Sequence, residues 1–149
     1  MDLVVSYGGL RRGQSQIQSE DMFVTPMVNL FTDGIESSLA FYRDTLGFVE
    51  TFRTPLEGVP EHVELVLDGF MIALSTTEAA ERVHGIHAEP GSPAMELVIW
   101  TDDVDAAYEK LLAADVRSVK PPHDSGNNNR NALVRDPDGN LVELVAKRS

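Results

Sequence analysis

The chain has 149 residues, 42% hydrophobic and 24% charged, with no cysteine and a net charge of -12 from 24 acidic against 12 basic side chains. That length and composition suit one domain, or two small units sharing a core, and exclude global disorder. Without cysteine there are no disulfides, thiolate nucleophiles or cysteine-ligated metal centres, and the acidic surplus repels a nucleic-acid backbone. The longest apolar runs fall far short of the roughly 20 residues that span a bilayer. The start of the chain lacks a basic segment followed by an apolar run, so a cytoplasmic protein is expected, with neither nucleic acid nor membrane as partner.

Residues 1–22 read as a tail or an edge strand: Leu3-Val4-Val5 is a short β-like run and Gly8-Gly9 a turn. A first module is expected over residues 23–75. Met27 to Thr32 reads as a strand. Asp33 is then the expected N-cap, with Glu36 completing a capping box, and Ile35, Leu39, Tyr42 and Leu46 form one helical stripe that ends at Gly47. A strand over Phe48 to Phe52 follows, and then two apolar runs, His62–Leu67 and Phe70–Ser75, joined by Asp68-Gly69, a strong two-residue hairpin signal. Residues 76–94 form a connection holding a short helix, Thr77 to Val83, that Pro90-Gly91-Ser92-Pro93 separates from the next strand.

The second module, residues 95–149, repeats the first. Met95–Trp100 reads as a strand, Asp102 caps a helix that buries Val104, Tyr108 and Leu111, and a short strand lies near Val116–Val119. The polar run from His123 to Arg130 has no periodicity and is expected to be loop. Asn131–Arg135 and Asn140–Ala146 form the last hairpin around Asp136-Pro137-Asp138-Gly139. Thr32-Asp33-Gly34-Ile35-Glu36 recurs as Thr101-Asp102-Asp103-Val104-Asp105, and such repetition marks two similar units packed as one body. The expected fold is α+β: paired βαβββ modules forming a curved mixed sheet around a cleft.

Strand alternation selects what would face that cleft. Glu64, Glu96 and Glu143 each sit mid-strand among apolar neighbours, where a lone carboxylate is costly. Each is either edge-exposed, paired with Arg53, Arg130, Arg135 or a backbone donor, or part of a site. If the three converge, a cation must neutralise them or a pKa must rise. An all-oxygen set favours Mg2+, Mn2+ or Ca2+, a raised carboxylate could act as general base, and a cationic ligand would answer the charge without metal. Met27, Asn29 and Phe31 share one strand face, and Phe31 with Trp100 could form an aromatic wall. His62 lies two residues from Glu64 and faces the same side, so it can support that carboxylate. The spacing of His84 and His87, interrupted by Gly85, is not that of a metal site, and no serine shows a visible acid–histidine arrangement.

Two stretches, Ser38-Leu39-Ala40-Phe41-Tyr42-Arg43-Asp44-Thr45-Leu46-Gly47-Phe48 and Leu133-Val134-Arg135-Asp136-Pro137-Asp138-Gly139-Asn140-Leu141-Val142-Glu143-Leu144, make the chain resemble the vicinal oxygen chelate superfamily of glyoxalases, bleomycin-resistance proteins and extradiol dioxygenases over residues 25–147. The resemblance implies dimers of paired βαβββ units with a metal or ligand in the concave sheet. It places metal ligands at Met27, Glu64, Glu96 and Glu143. Catalytic relatives usually carry His or Gln at the first of these positions and His at the third. Met27 and Glu96 therefore argue against a standard Ni or Zn glyoxalase and against a two-His-one-carboxylate iron centre.

The expected function is binding of a small molecule, as in bleomycin-resistance proteins, with a cationic or natural-product ligand at Met27, Asn29, Phe31 and Trp100 and a homodimer as the assembly. The alternative is a divergent metal-dependent lyase, isomerase or dioxygenase. In that case Glu64, Glu96 and Glu143 hold a divalent Mg, Mn or Ca ion and Glu143 or His62 moves the proton. The cofactor is thus either such an ion or none. A structural or regulatory partner protein is the third reading.

Overall fold

A computed structural model of the chain describes residues 25–91, 95–126 and 128–148. The expected tail or edge strand over residues 1–22 lies outside them. The chain divides into two compact units with the boundary between Ala88 and Glu89. Each carries its own four-stranded mixed sheet, so the architecture is α+β with two βαβββ modules.

In the first unit β1 (Val28–Thr32) leads into α1 (Ile35–Leu39), which widens into a π-helical turn over Ala40–Thr45 before β2 (Val49–Thr54), β3 (His62–Leu67), β4 (Phe70–Thr76) and α2 (Thr77–His84). The strand order is β1-β4-β3-β2, with β1 parallel to β4 and the other pairs antiparallel. Val63, Leu65, Ile72 and Leu74 are fully buried on one face. Each contributes about 1.5–3 kcal/mol of apolar burial. The Thr32 and Ser38 hydroxyls, 2.7 Å apart, pin α1 to that face. In the π turn the Leu46 N–H reaches the Phe41 carbonyl, and the extra residue per turn lets both Phe41 and Tyr42 point inward, edge to face at 4.8 Å.

The hairpin β3–β4 turns at Asp68 and Gly69, with φ of 49° and 81°. Two consecutive positive φ values are what a type I′ turn demands, and Asp-Gly meets the demand at low strain. The cap of α1 differs from expectation. Gly34 is the N-cap and donates its N–H to Thr32 Oγ1 at 3.1 Å. Asp33 instead accepts from Thr77 Oγ1 at 2.8 Å, tying the start of α1 to the start of α2. The expected helix in the connecting segment is present; Thr76 caps it by accepting from Ala79 N–H, and Gly85, at φ 66°, ends it.

The second unit repeats the plan with β5 (Glu96–Trp100), α3 (Val104–Ala113), β6 (Arg117–Ser125), β7 (Asn129–Arg135) and β8 (Leu141–Lys147), in the order β5-β8-β7-β6. Val104, Tyr108 and Leu111 are the buried face of α3. Its N-cap is Asp103, whose carboxylate accepts from Ala106 N–H at 3.0 Å, one residue after the expected Asp102. The polar segment expected as loop is largely strand: His123, Asp124 and Ser125 pair with Asn131, Arg130 and Asn129. β6 is an edge strand with register shifts around Pro121 and Pro122, which is where a sheet tolerates proline and polar side chains.

The turn between β7 and β8 is organised by Asp136, a buried carboxylate. Its Oδ1 accepts from the Asp138 and Asn140 N–H groups and its Oδ2 from the Asn140 amide. Asp136→Ala should cost about 2–4 kcal/mol by stranding these donors, whereas Asp136→Asn, which keeps one acceptor, should lose less. Urea unfolding of the two variants would show the ranking; an Asp136→Ala protein as stable as the parent would refute it.

Candidate functional site

In the first unit the register of β3 on β4 places His62 opposite Ser75 and Glu64 opposite Ala73, while β1 sets Asn29 beside Ala73 and Phe31 beside Ser75. All of these lie on the sheet face away from the Val63–Leu65 core. They form one hydrogen-bonded chain. Ser75 Oγ donates to Asn29 Oδ1 at 2.9 Å, His62 Nδ1 is 2.8 Å from Ser75 Oγ, and His62 Nε2 is 2.8 Å from Glu64 Oε2. Glu64 is 4% exposed and its Oε1 has no hydrogen-bond partner, so His62 is the group that makes this buried carboxylate tolerable. His62 and Glu64, expected to face the same side, are hydrogen-bonded to each other.

Hydrogen-bond roles follow from counting protons. A carboxylate at Nε2 holds the proton on that nitrogen. An imidazolium then donates from Nδ1 as well and Ser75 passes its hydrogen to Asn29. A neutral imidazole instead turns a lone pair at Nδ1 toward Ser75, whose single hydrogen then has two acceptors, Nδ1 and Asn29 Oδ1.

Asn29, Phe31, His62 and Ser75 line a cavity of about 250 Å³ whose opposite wall is α2, through Ala79, Ala80 and Val83. Three residues expected at the site therefore meet in one hollow within this unit. Met27 precedes β1 with an exposed side chain and is not among the residues that line the hollow. Ser75 was not foreseen. Its signal was in the sequence all the same: counting outward from the Asp68-Gly69 turn pairs residue 67 with 70 and hence 62 with 75.

In the second unit Glu96, Val98 and Trp100 alternate outward on β5, and Glu143 is the register partner of Val98. Glu143 accepts from the Asn131 amide, whose Oδ1 accepts in turn from Ser125. Trp100 is exposed, with the Lys147 ammonium 5.7 Å from the centre of its ring. Trp100 stands beside Val145 as Phe31 stands beside Ser75, so the two aromatics occupy equivalent places in the two modules.

The expected metal set takes Glu64 from the first unit and Glu96 with Glu143 from the second. Among the described residues no three His, Asp or Glu side chains are grouped to hold a metal ion. Within the first unit His62 has both ring nitrogens engaged, and the Met27 thioether is a poor match for a hard cation. The donors around Glu64 fit their own hydrogen-bond chain better than a coordination shell.

Glu96 hydrogen-bonds the Glu143 carboxyl, and this contact, with partial burial and the Glu143 charge adding to it, raises Glu96 above the ordinary carboxylate range. A carboxyl raised in the folded state holds its proton more tightly there than in the unfolded chain. Stability from this group therefore falls as pH rises from the usual glutamate value of about 4.3 through the raised one. Glu96→Gln, which removes the titration and leaves an amide able to donate to Glu143, should melt at a higher temperature than the parent at pH 7–8. The gap should close below the ordinary glutamate range; a gap independent of pH would show that repulsion is not the cause.

Comparison with known proteins gives one family. The chain is 32% identical over 114 residues to an uncharacterized protein of Mycolicibacterium smegmatis, covering 76% of this chain and 85% of that one. A glyoxalase/bleomycin resistance protein/dioxygenase superfamily member from Sphaerobacter thermophilus superposes with a TM-score of 0.66 at 28% identity, covering 83% of this chain and 98% of the other. A hypothetical protein from S. aureus shares the fold, with a TM-score of 0.71 at 21% identity over 84% of this chain and 95% of its own. The sequence model of the Glyoxalase/Bleomycin resistance protein/Dioxygenase superfamily matches residues 25–144, and the chain belongs to that superfamily.

Proposed function

We propose that this protein binds a small organic molecule in the cavity of its first unit without using a metal. The carrying observation is the composition of that hollow: an apolar side made by Phe31, Ala79, Ala80 and Val83 faces a polar side made by Asn29, Ser75 and His62. Concave, mostly apolar sites with a few convergent polar groups are the usual form of small-ligand pockets. A volume of about 250 Å³ suits a compact ligand or one ring of a larger one. Phe31 offers an aromatic face and the chain carries a net charge of -12, so an amine-bearing aromatic is the favoured class over an anionic one.

The reading is tested by NMR titration with benzylamine, toluene and benzoate. Shifts should concentrate at β1, β3, β4 and α2, with benzylamine strongest and benzoate weakest, and adding Mg2+ or Mn2+ should leave them unchanged. Phe31→Ala should weaken binding about tenfold, the loss expected of an aromatic anchor. Shifts confined to other regions, or none at all, would sink the proposal.

The second reading, a metal-dependent lyase, isomerase or dioxygenase, draws support from Glu96 and Glu143, two carboxyls in contact across β5 and β8. A divalent ion supplies Lewis acidity to a carbonyl or enediolate oxygen. Elemental analysis finding one tightly held metal per chain, lost in Glu143→Gln, would favour this reading over the first.

A further inference from the structure

We propose that Ser75, His62 and Glu64 form a nucleophile–base–acid relay able to transfer the acyl group of a small ester. The inference rests on the cavity being a ligand site, and adds to it a covalent chemistry. The side chains stand in the order that acyl transfer requires. A hydroxyl lies within hydrogen-bond reach of an imidazole nitrogen, at 2.8 Å, and the other imidazole nitrogen lies 2.8 Å from a carboxylate. Such a set is recognised by geometry and roles and not by sequence order. Here the nitrogens are exchanged relative to the usual serine hydrolase, with Nδ1 facing the hydroxyl and Nε2 the carboxylate.

Burial of Glu64 gives the arrangement its direction. The carboxylate oxygen at Nε2 keeps a proton on that nitrogen; in the neutral imidazole the Nδ1 lone pair then faces Ser75, whose hydrogen must turn to it from Asn29 Oδ1. Ser75 and His62 both line the cavity, so a carbonyl carbon placed there meets the Oγ directly. Asn29 lies on the same wall, with its Oδ1 toward the Ser75 hydroxyl.

The step balances with water as the co-reactant. Ser75 Oγ attacks the ester carbonyl carbon and its proton passes to His62 Nδ1. The acyl carbon–oxygen bond then breaks, and the proton on His62 goes to the departing oxygen, or to bulk water when that oxygen leaves as an anion, so that the imidazole is neutral again. Water, deprotonated by His62, attacks the acyl-serine in the same way, releasing the carboxylic acid and restoring the hydroxyl. Glu64 is a positioning residue that also stabilises the transient imidazolium.

The test uses 4-nitrophenyl acetate on the full chain, read by nitrophenolate release and by peptide mapping of a quenched sample. The expected result is a burst followed by slow turnover, with one acetyl group on the peptide that carries Ser75. Ser75→Ala should remove that adduct and lower turnover at least about a hundredfold, with its melting temperature reported alongside. Glu64→Gln should shift the pH profile of the burst, and Glu64→Asp should recover part of the rate, neither of which a purely structural carboxylate would do. Acetylation elsewhere only, or an undiminished burst in Ser75→Ala, overturns the relay. 4-Nitroanisole, which has no acyl group, separates the two ideas. If it binds the cavity while Ser75 stays unmodified, the binding function stands and the relay falls. If neither compound enters the cavity, both fall.

Discussion

The register of one hairpin carries the first unit. Asp68 and Gly69 close β3 on β4 with two left-handed residues, and every pairing from Leu67↔Phe70 to His62↔Ser75 follows from that closure. Side chains alternate with a period of two, so a slip of β3 by one residue would send Glu64 and His62 into the core against Ile72 and Leu74 and turn Val63 and Leu65 outward. The free-energy gap between the two registers is large. Two apolar side chains would lose about 1.5–3 kcal/mol each, and a carboxylate and an imidazole would enter an apolar layer. The polar chain on the far face is thus positioned by the same constraint that makes the core.

Burying that polar chain carries a desolvation cost. Glu64 is buried, its Oε1 lacks a partner, and only the exposed side of His62 keeps the pair in touch with water. Replacing buried ion pairs with apolar residues is often neutral or stabilising, so packing alone gives no reason for Glu64 and His62 on this face. Local rules are broken most often where a protein acts on something else. The cavity borders this chain, and α2, anchored through Thr77 to Asp33 and through Arg82 to Glu61, keeps its second wall in position.

How much of this was legible in the sequence depends on range. The Asp68-Gly69 hairpin, the stripe of Ile35, Leu39 and Tyr42, and the buried face of α3 are local patterns, and they survive folding intact. The caps shifted because more than one side chain can reach the same orphan N–H groups: Thr32 served Gly34, which released Asp33 to bind Thr77. β6 was hidden because an edge strand needs neither apolar alternation nor freedom from proline; only its pairing with β7 reveals it. His62 and Glu64 were visible as same-face neighbours. Ser75 needed a register count across the turn, a two-strand inference that no single-strand pattern supplies.

The register also shows that the duplicated backbone carries two different chemistries. Taking β4 and β8 as equivalent, Ala73 corresponds to Glu143 and Ser75 to Val145; on β3 and β7, His62 corresponds to Asn131 and Glu64 to Leu133; on β1 and β5, Asn29 corresponds to Val98. The second unit therefore has a carboxylate where the first has a methyl group, and an aliphatic side chain where the first has a hydroxyl. Its acid is held by an amide, whereas the acid of the first unit is held by an imidazole. The imidazole–hydroxyl pair is thus confined to the first unit, and in the second the Glu143 carboxyl contacts Glu96. The aromatic position alone is kept in kind, as Phe31 and Trp100.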